Sequence, residues 1–238
     1  MGRAVRAEAV LAGDFEVAAC YDVEGPCLRP GDRLPEGVDV VVDFSTPSAL
    51  DFLGGMLSGT EAALVSGTTG LSAREKAMLE SWSAERAVFY SPNMSRGIYV
   101  LARLVSEAGR LLGPGFDLEV VEIHHRQKRD SPSGTALRLV ESWSASRSVQ
   151  PEPVYGREGA MGPRRTQEVG IHSVRGGDVA GDHEVHLLGD GERLLLAHRA
   201  SGRRTFALGA LAAARFVSGR GPGLYGMDDL PGWSGDQR

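Results

Sequence analysis

The chain has 238 residues, 42% hydrophobic and 24% charged, which is enough apolar material for one large or two modest domains and too much for a disordered chain. Its net charge of −5 gives no general reason to expect nucleic acid or an anionic membrane as partner. Cys20 and Cys27 are too few for a four-ligand zinc site or a disulfide framework, and the absence of an apolar run of roughly 18–20 residues or a signal core makes a cytoplasmic protein the expectation.

Helical spacing begins directly after Met1-Gly2. Phe15 to Cys20 then reads as a strand, and Val38 to Phe44 as a second whose continuous apolar run suits a strand covered on both faces. Pro47 to Leu57 has helical spacing, Ala62 to Ser66 repeats the strand pattern, and Ser72 to Glu85 is helical. Ser72 is the expected N-cap of that helix, and Glu75 completes a capping box. Ala87 to Tyr90 is the next strand. Strands and helices in alternation argue for a parallel sheet with right-handed crossovers.

The pattern then changes. A helix is expected from Gly97 to Leu112, a strand from Asp117 to His125 and a helix from Gly134 to about Ser146. Gln150 to Arg165, rich in Pro, Gly and Arg, reads as a long surface loop. Strands follow at Thr166 to Val174, His183 to Leu188 and Arg193 to His198, the last two joined by Gly189-Asp190-Gly191-Glu192, a good hairpin signal. A helix near Thr205 to Ser218 precedes a Gly/Pro-rich tail. The expected fold class is α/β: a Rossmann-like parallel-sheet nucleotide domain (1–95 and 205–238) and an α+β domain with a mixed sheet (96–204).

The chemistry concentrates in Glu122-Ile123-His124-His125-Arg126-Gln127-Lys128-Arg129-Asp130-Ser131-Pro132-Ser133-Gly134-Thr135-Ala136. A strand runs into two histidines, a basic loop and a helix start. Ser133 is the expected N-cap, which would leave the amides of Gly134, Thr135 and Ala136 pointing out of the helix unpaired, an end suited to anions. Lys128 and the histidines could hold a carboxylate there and supply a proton beside it. An exposed basic turn capped by serine is the plainer alternative. Metal binding by the adjacent histidines is a weaker reading, because neighbours on a strand point to opposite faces.

This stretch resembles the signature E-x-H-H-x-x-K-x-D-x-P-S-G-T-A of the 4-hydroxy-tetrahydrodipicolinate reductase (dihydrodipicolinate reductase) family. The resemblance extends through Val41 to Pro47, Ser66 to Gly70, Ser91 to Ser95, Arg175 to His183 and Arg199 to Ala207, nearly the whole chain. It implies a homotetrameric oxidoreductase of lysine and diaminopimelate synthesis that uses NADH or NADPH on a small dicarboxylate. It also implies that His124 and Lys128 supply the proton accompanying hydride addition, Lys128 being the better acid. His125, Ser133, Gly134 and Thr135 would hold the substrate carboxylates. Gly67, Thr68 and Thr69, with Ser91, Pro92, Asn93 and Met94, would line the nicotinamide side of the cofactor, with Phe44 packing near the ring. As a plain turn, Gly67 and Gly70 would need no ligand.

Asp22, just after the strand expected at Phe15 to Cys20, sits where a dinucleotide fold places an acid on the adenosine ribose. Val23 follows where the family often has a basic residue, so NADH should serve at least as well as NADPH. Met1-Gly2 resembles the end of the family's G-x-x-G-x-M-G loop, which makes Met1 a cofactor contact. It also implies that a strand and most of that loop precede it in a longer reading frame; an ordinary helix start is the alternative. Two rivals to the reductase reading remain open: a related reductase acting on another substrate, and a non-catalytic homologue that keeps the oligomeric substrate domain but binds nucleotide poorly.

Overall fold

A computed structural model of the chain describes residues 1–22, 27, 31–147 and 150–230. Val23 and the end of the tail, residues 231–238, lie outside the described residues. The chain divides into two compact units, residues 1–95 with 204–238 and residues 96–203.

The first unit holds a fully parallel sheet in the order β1-β2-β3-β9, built from β1 (Val40–Asp43), β2 (Ala63–Ser66), β3 (Ala87–Tyr90) and β9 (Gly223–Tyr225). β2 is buried along its whole length, as the apolar run Ala63 to Val65 requires of a strand covered on both faces, and its buried Ser66 finds a polar partner in Asp43. Helix α2 (Leu50–Leu57) and helix α3 (Ala73–Ser83) cover it with Leu50, Leu53, Leu57 and Leu79, which pack with Leu64 and Val88. Ser72 and Glu75 form the expected capping box of α3. Helix α6 (Arg204–Val217) is rich in alanine, and at its one glycine, Gly209, it approaches the Met94 backbone so closely that no side chain would fit. Helix α1 (Gly2–Ala12) packs on α6, and Asp14 pairs with Arg215 across 2.6 Å.

Two expectations for this unit fail. Phe15 to Cys20 forms no strand: the segment is irregular and mostly exposed, with Tyr21 in an isolated bridge. A strand is held by its ladder, and a run with Glu16 and two alanines among its six residues gains little burial to hold it without one. Conversely, the Gly/Pro-rich tail contains β9, which pairs in parallel with β3. Three residues suffice there because an existing strand edge supplies the partners.

The second unit is a five-stranded mixed sheet in the order β5-β6-β4-β7-β8, with β5 (Glu152–Val154), β6 (Glu168–Arg175), β4 (Asp117–His124), β7 (Asp182–Gly189) and β8 (Glu192–Arg199). β5, β6 and β4 are parallel, and β7 and β8 add antiparallel with a two-residue Asp190-Gly191 turn. Gly191 has φ 83°, the left-handed conformation such a turn demands. The expectation of loop throughout Gln150 to Arg165 is corrected by β5, a short edge strand whose pairing partner is distant in sequence. Along β4, burial alternates, and Leu118, Val120, Glu122 and His124 face inward. Helix α4 (Arg96–Leu112) and helix α5 (Gly134–Arg147) close that face with Leu101, Val105, Leu139, Val140 and Trp143.

Candidate active site

The inward face of β4 is apolar until its last turn of pleat, where it presents Glu122 and His124. Two residues apart, they share a face. Register places His183 of β7 beside Glu122 and Arg175 of β6 beside His124. The Glu122 side chain has no solvent exposure and accepts from four nitrogen donors, two on each oxygen. Oε2 takes His124 Nδ1 at 2.5 Å and Arg175 Nη1 at 2.7 Å. Oε1 takes the Ser133 amide at 3.0 Å and Arg175 Nη2 at 2.7 Å.

Burial alone would push the Glu122 carboxyl up, but Arg175, His124, Ser173 and the Ser133 amide outweigh it and hold the group at about 2. Burial lowers the His124 pKa, and nearby Lys128 and Arg175 add to that against the opposing pull of Glu122. His183 is buried more deeply and is pushed down to about 3, first by burial and then, once His124 is itself protonated, by repulsion from it. Its ring meets that of His124 edge to face, centroids 5.2 Å apart. Both are therefore neutral rings at ordinary pH.

Ser133 caps α5 as expected, its hydroxyl accepting the Ala136 amide at 3.1 Å. That corrects part of the expectation of unpaired amides, because Ala136 is already served. The Ser133 hydroxyl also meets His183 Nε2 at 3.1 Å and its side chain is buried, whereas Gly134 is exposed and Thr135 half-buried. His125 lies just beyond β4, half-buried, with its amide donating to Val179. Lys128 Nζ pairs with Asp130 at 2.8 and 2.9 Å, and the Asp130 carbonyl accepts Arg175 Nη2 at 2.8 Å. The structure thus joins His124 and the Ser133 amide on one buried carboxylate, with Lys128 held on Asp130 and close enough for its charge to act on His124.

In the first unit, Phe44, Gly67 to Thr69 and Ser91 to Met94 lie at the carboxyl ends of the parallel strands, where open α/β sheets bind ligands, whereas Met1 and Asp22 do not follow a strand. Asp43 organises them. Its Oδ2 accepts the hydroxyls of Ser66 and Thr68, both at 2.8 Å, and its Oδ1 accepts the Ser45 amide at 2.9 Å. The Phe44 ring lies against Gly67: a Cβ there would overlap ring atom Cε1 and come within 2.7 Å of Cδ1 and Cζ. Thr69 is exposed beside it. Ser91 Oγ donates to the Asn93 carbonyl at 2.8 Å, Pro92 is exposed, and Met94 is buried with its side chain in the core. Met1 caps α1 through its carbonyl, and Asp22 is exposed next to Tyr21, whose ring lies 4.7 Å from that of Phe52.

Sequence reasoning gave no role to Glu122, Arg175, His183 or Asp43. The signal for Glu122 was present, since an acid two residues before a histidine on a strand shares its face; those for Arg175 and His183 required the strand register. Among the described residues no group of three or more His, Cys, Asp or Glu could hold a metal ion, and no helix is long and apolar enough to cross a membrane.

Comparison with known proteins identifies the family. Residues 1–94 match the family described as dihydrodipicolinate reductase, N-terminus, and residues 97–230 match dihydrodipicolinate reductase, C-terminus. The chain is 44% identical to the 4-hydroxy-tetrahydrodipicolinate reductase of Myxococcus xanthus over 82% of its length and 72% of that protein. To the enzymes of the same name from Nitrosomonas europaea and Akkermansia muciniphila it is 38% and 41% identical, over 98% of this chain and 94% of each. A solved structure, a dipicolinate-bound dihydrodipicolinate reductase from Paenisporosarcina sp. TG-14, superposes with a TM-score of 0.62 at 25% identity, covering 79% of this chain and 71% of that one.

Proposed function

The chain belongs to the dihydrodipicolinate reductase family, and from that premise we propose that it reduces 4-hydroxy-tetrahydrodipicolinate to tetrahydrodipicolinate with NADH or NADPH, in lysine and diaminopimelate biosynthesis. The observation that carries the reading is the buried Glu122 carboxylate, which holds His124 and the N-terminus of α5 together beside Lys128. The dipicolinate in the related solved structure is a planar dicarboxylate, and the basic loop with its helix start suits a ligand of that kind.

In the second unit, Gly134, Thr135 and His125 would meet the substrate carboxylates, with Ser133 shaping the helix start. Lys128 would donate the proton that accompanies reduction, and His124 Nε2 would exchange a proton with it or with the substrate. Over the whole reaction the substrate gains a hydride and a proton and loses one water. The nicotinamide supplies the hydride when bound. Phe44, Gly67, Thr68, Thr69 and the Ser91–Met94 turn would hold that ring, and the close fit of Phe44 on Gly67 leaves a flat shelf suited to it. Asp22 would accept from the ribose hydroxyls and repel a 2′-phosphate, which favours NADH. Met1 would lie at the pyrophosphate end.

Homotetramer assembly through the second unit belongs to the same reading. The sheet face away from the helices carries Leu195 and Val174, 52% and 46% exposed, which supports it. A cytoplasmic location accords with a soluble substrate and cofactor. The test is to mix the chain with substrate and NADH or NADPH and follow the loss of reduced-nicotinamide absorbance. Turnover by the native chain, strongly reduced in Lys128→Ala, is expected; no turnover with either cofactor would refute the proposal.

A further inference from the structure

Glu122 is charged, buried and accepts from four donors, so it has no proton to give. The hydrogen on its 2.5 Å contact with His124 must therefore be carried by Nδ1. In a neutral ring that leaves Nε2 bare. Nε2 faces Gly181, where a built Cβ would stand 3.0 Å away. Gly181 has φ 151°, a conformation side-chain-bearing residues rarely adopt, and its missing side chain keeps Nε2 open.

The same carboxylate reaches the other member of the proposed pair. Arg175, clamped on both Glu122 oxygens, donates its Nη2 to the Asp130 carbonyl, and the Asp130 carboxylate holds Lys128 Nζ. The Ser133 amide on Oε1 fixes the start of α5 to this frame.

We infer that Glu122 is the positioning residue of this site: it locks His124 as the Nδ1–H tautomer with Nε2 turned to the reaction, and through Arg175 it holds the Asp130 segment that orients Lys128. The inference rests on the reading of His124 and Lys128 as the proton pair. It adds a tautomer, which can be observed without turnover. A carboxylate behind an imidazole sets which ring nitrogen carries the proton and so which one can do chemistry. The charged groups facing His124 are Glu122 on its own strand, Arg175 on β6 and Lys128 in the loop, with the His183 ring on β7.

The experiment is nitrogen NMR of the full chain labelled with ¹⁵N-histidine, His124 being assigned by the signal lost in His124→Asn. Near neutral pH, native His124 should show a protonated Nδ1 and a bare Nε2. In Glu122→Gln, whose amide can donate where the carboxylate only accepts, His124 should move toward the Nε2–H form. Its kcat should fall by roughly 10²–10⁴-fold, with KM changing far less. A native His124 with its proton on Nε2 would overturn the inference, and this holds even if Glu122→Gln does not fold. So would an unchanged tautomer and near-native kcat in a folded Glu122→Gln. A locked Nδ1–H tautomer beside a fully active His124→Ala would refute the proton-pair reading and leave the clamp standing.

Discussion

Replacing Gly67 with alanine should damage nucleotide binding more than folding. Gly67 is not among the glycines with positive φ, so its backbone tolerates a side chain. The conflict is with one neighbour: the new Cβ would overlap Phe44 Cε1 and stand 2.7 Å from two further ring atoms. Held in place, such overpacking costs about 1–3 kcal/mol, but Phe44 is half-buried and can relieve it by swinging outward. The ring then no longer lines the shelf. Losing one aromatic contact of about 0.5–1.5 kcal/mol should raise the Kd for NADH roughly 2- to 10-fold. Calorimetric titration of Gly67→Ala, Phe44→Ala and the double variant forms a double-mutant cycle, in which the alanine should cost little once Phe44 is gone. Native affinity in Gly67→Ala, or full additivity of the two losses, would refute the shelf.

His124→Ala and Lys128→Ala should each lower kcat by roughly 10²–10⁴-fold while leaving NADH affinity near native, since both serve the proton step; near-native rates in steady-state assays would remove them from it. Asp22→Ala should weaken NADH binding more than NADPH binding, because only NADH offers both ribose hydroxyls; equal losses in paired titrations would make Asp22 structural. Stability should fall with acid in two overlapping stages. The unfolded chain protonates His183 near its usual 6.5 but the folded chain only at about 3, so stability present above 6.5 is lost as pH falls toward 3. For Glu122, stability present above 4.5 is lost as pH falls toward 2. Denaturation midpoints that do not move between about pH 7 and pH 4 would contradict the burial of a neutral His183.

What the sequence made legible follows from the range of the forces involved. β2 and β3 stand out because covering both faces of a strand requires an unbroken apolar run, and Ser72 with Glu75 announces a helix start within four residues. The Asp190-Gly191 turn is equally local. By contrast, β5 and β9 are three-residue strands in Pro- and Gly-rich sequence, created by the edges they join. Phe15 to Cys20 failed for the converse reason, having strand-like composition and no ladder. The motif from Glu122 to Ala136 gave His124, Lys128 and the Ser133 cap, all within one segment. The Arg175 clamp reaches across 53 residues and the Thr68 to Asp43 bond across 25, and only the register of the two sheets brings those partners together.

The central claim is that this chain delivers a hydride from reduced nicotinamide to 4-hydroxy-tetrahydrodipicolinate, and isotope transfer tests it most directly. The native chain, given substrate and NADH carrying deuterium at the transferable nicotinamide position, should yield tetrahydrodipicolinate with a single deuterium on carbon by mass spectrometry, in amount equal to the NADH oxidised. Nicotinamide oxidation without deuterium in that product, or no oxidation of either cofactor, would contradict it.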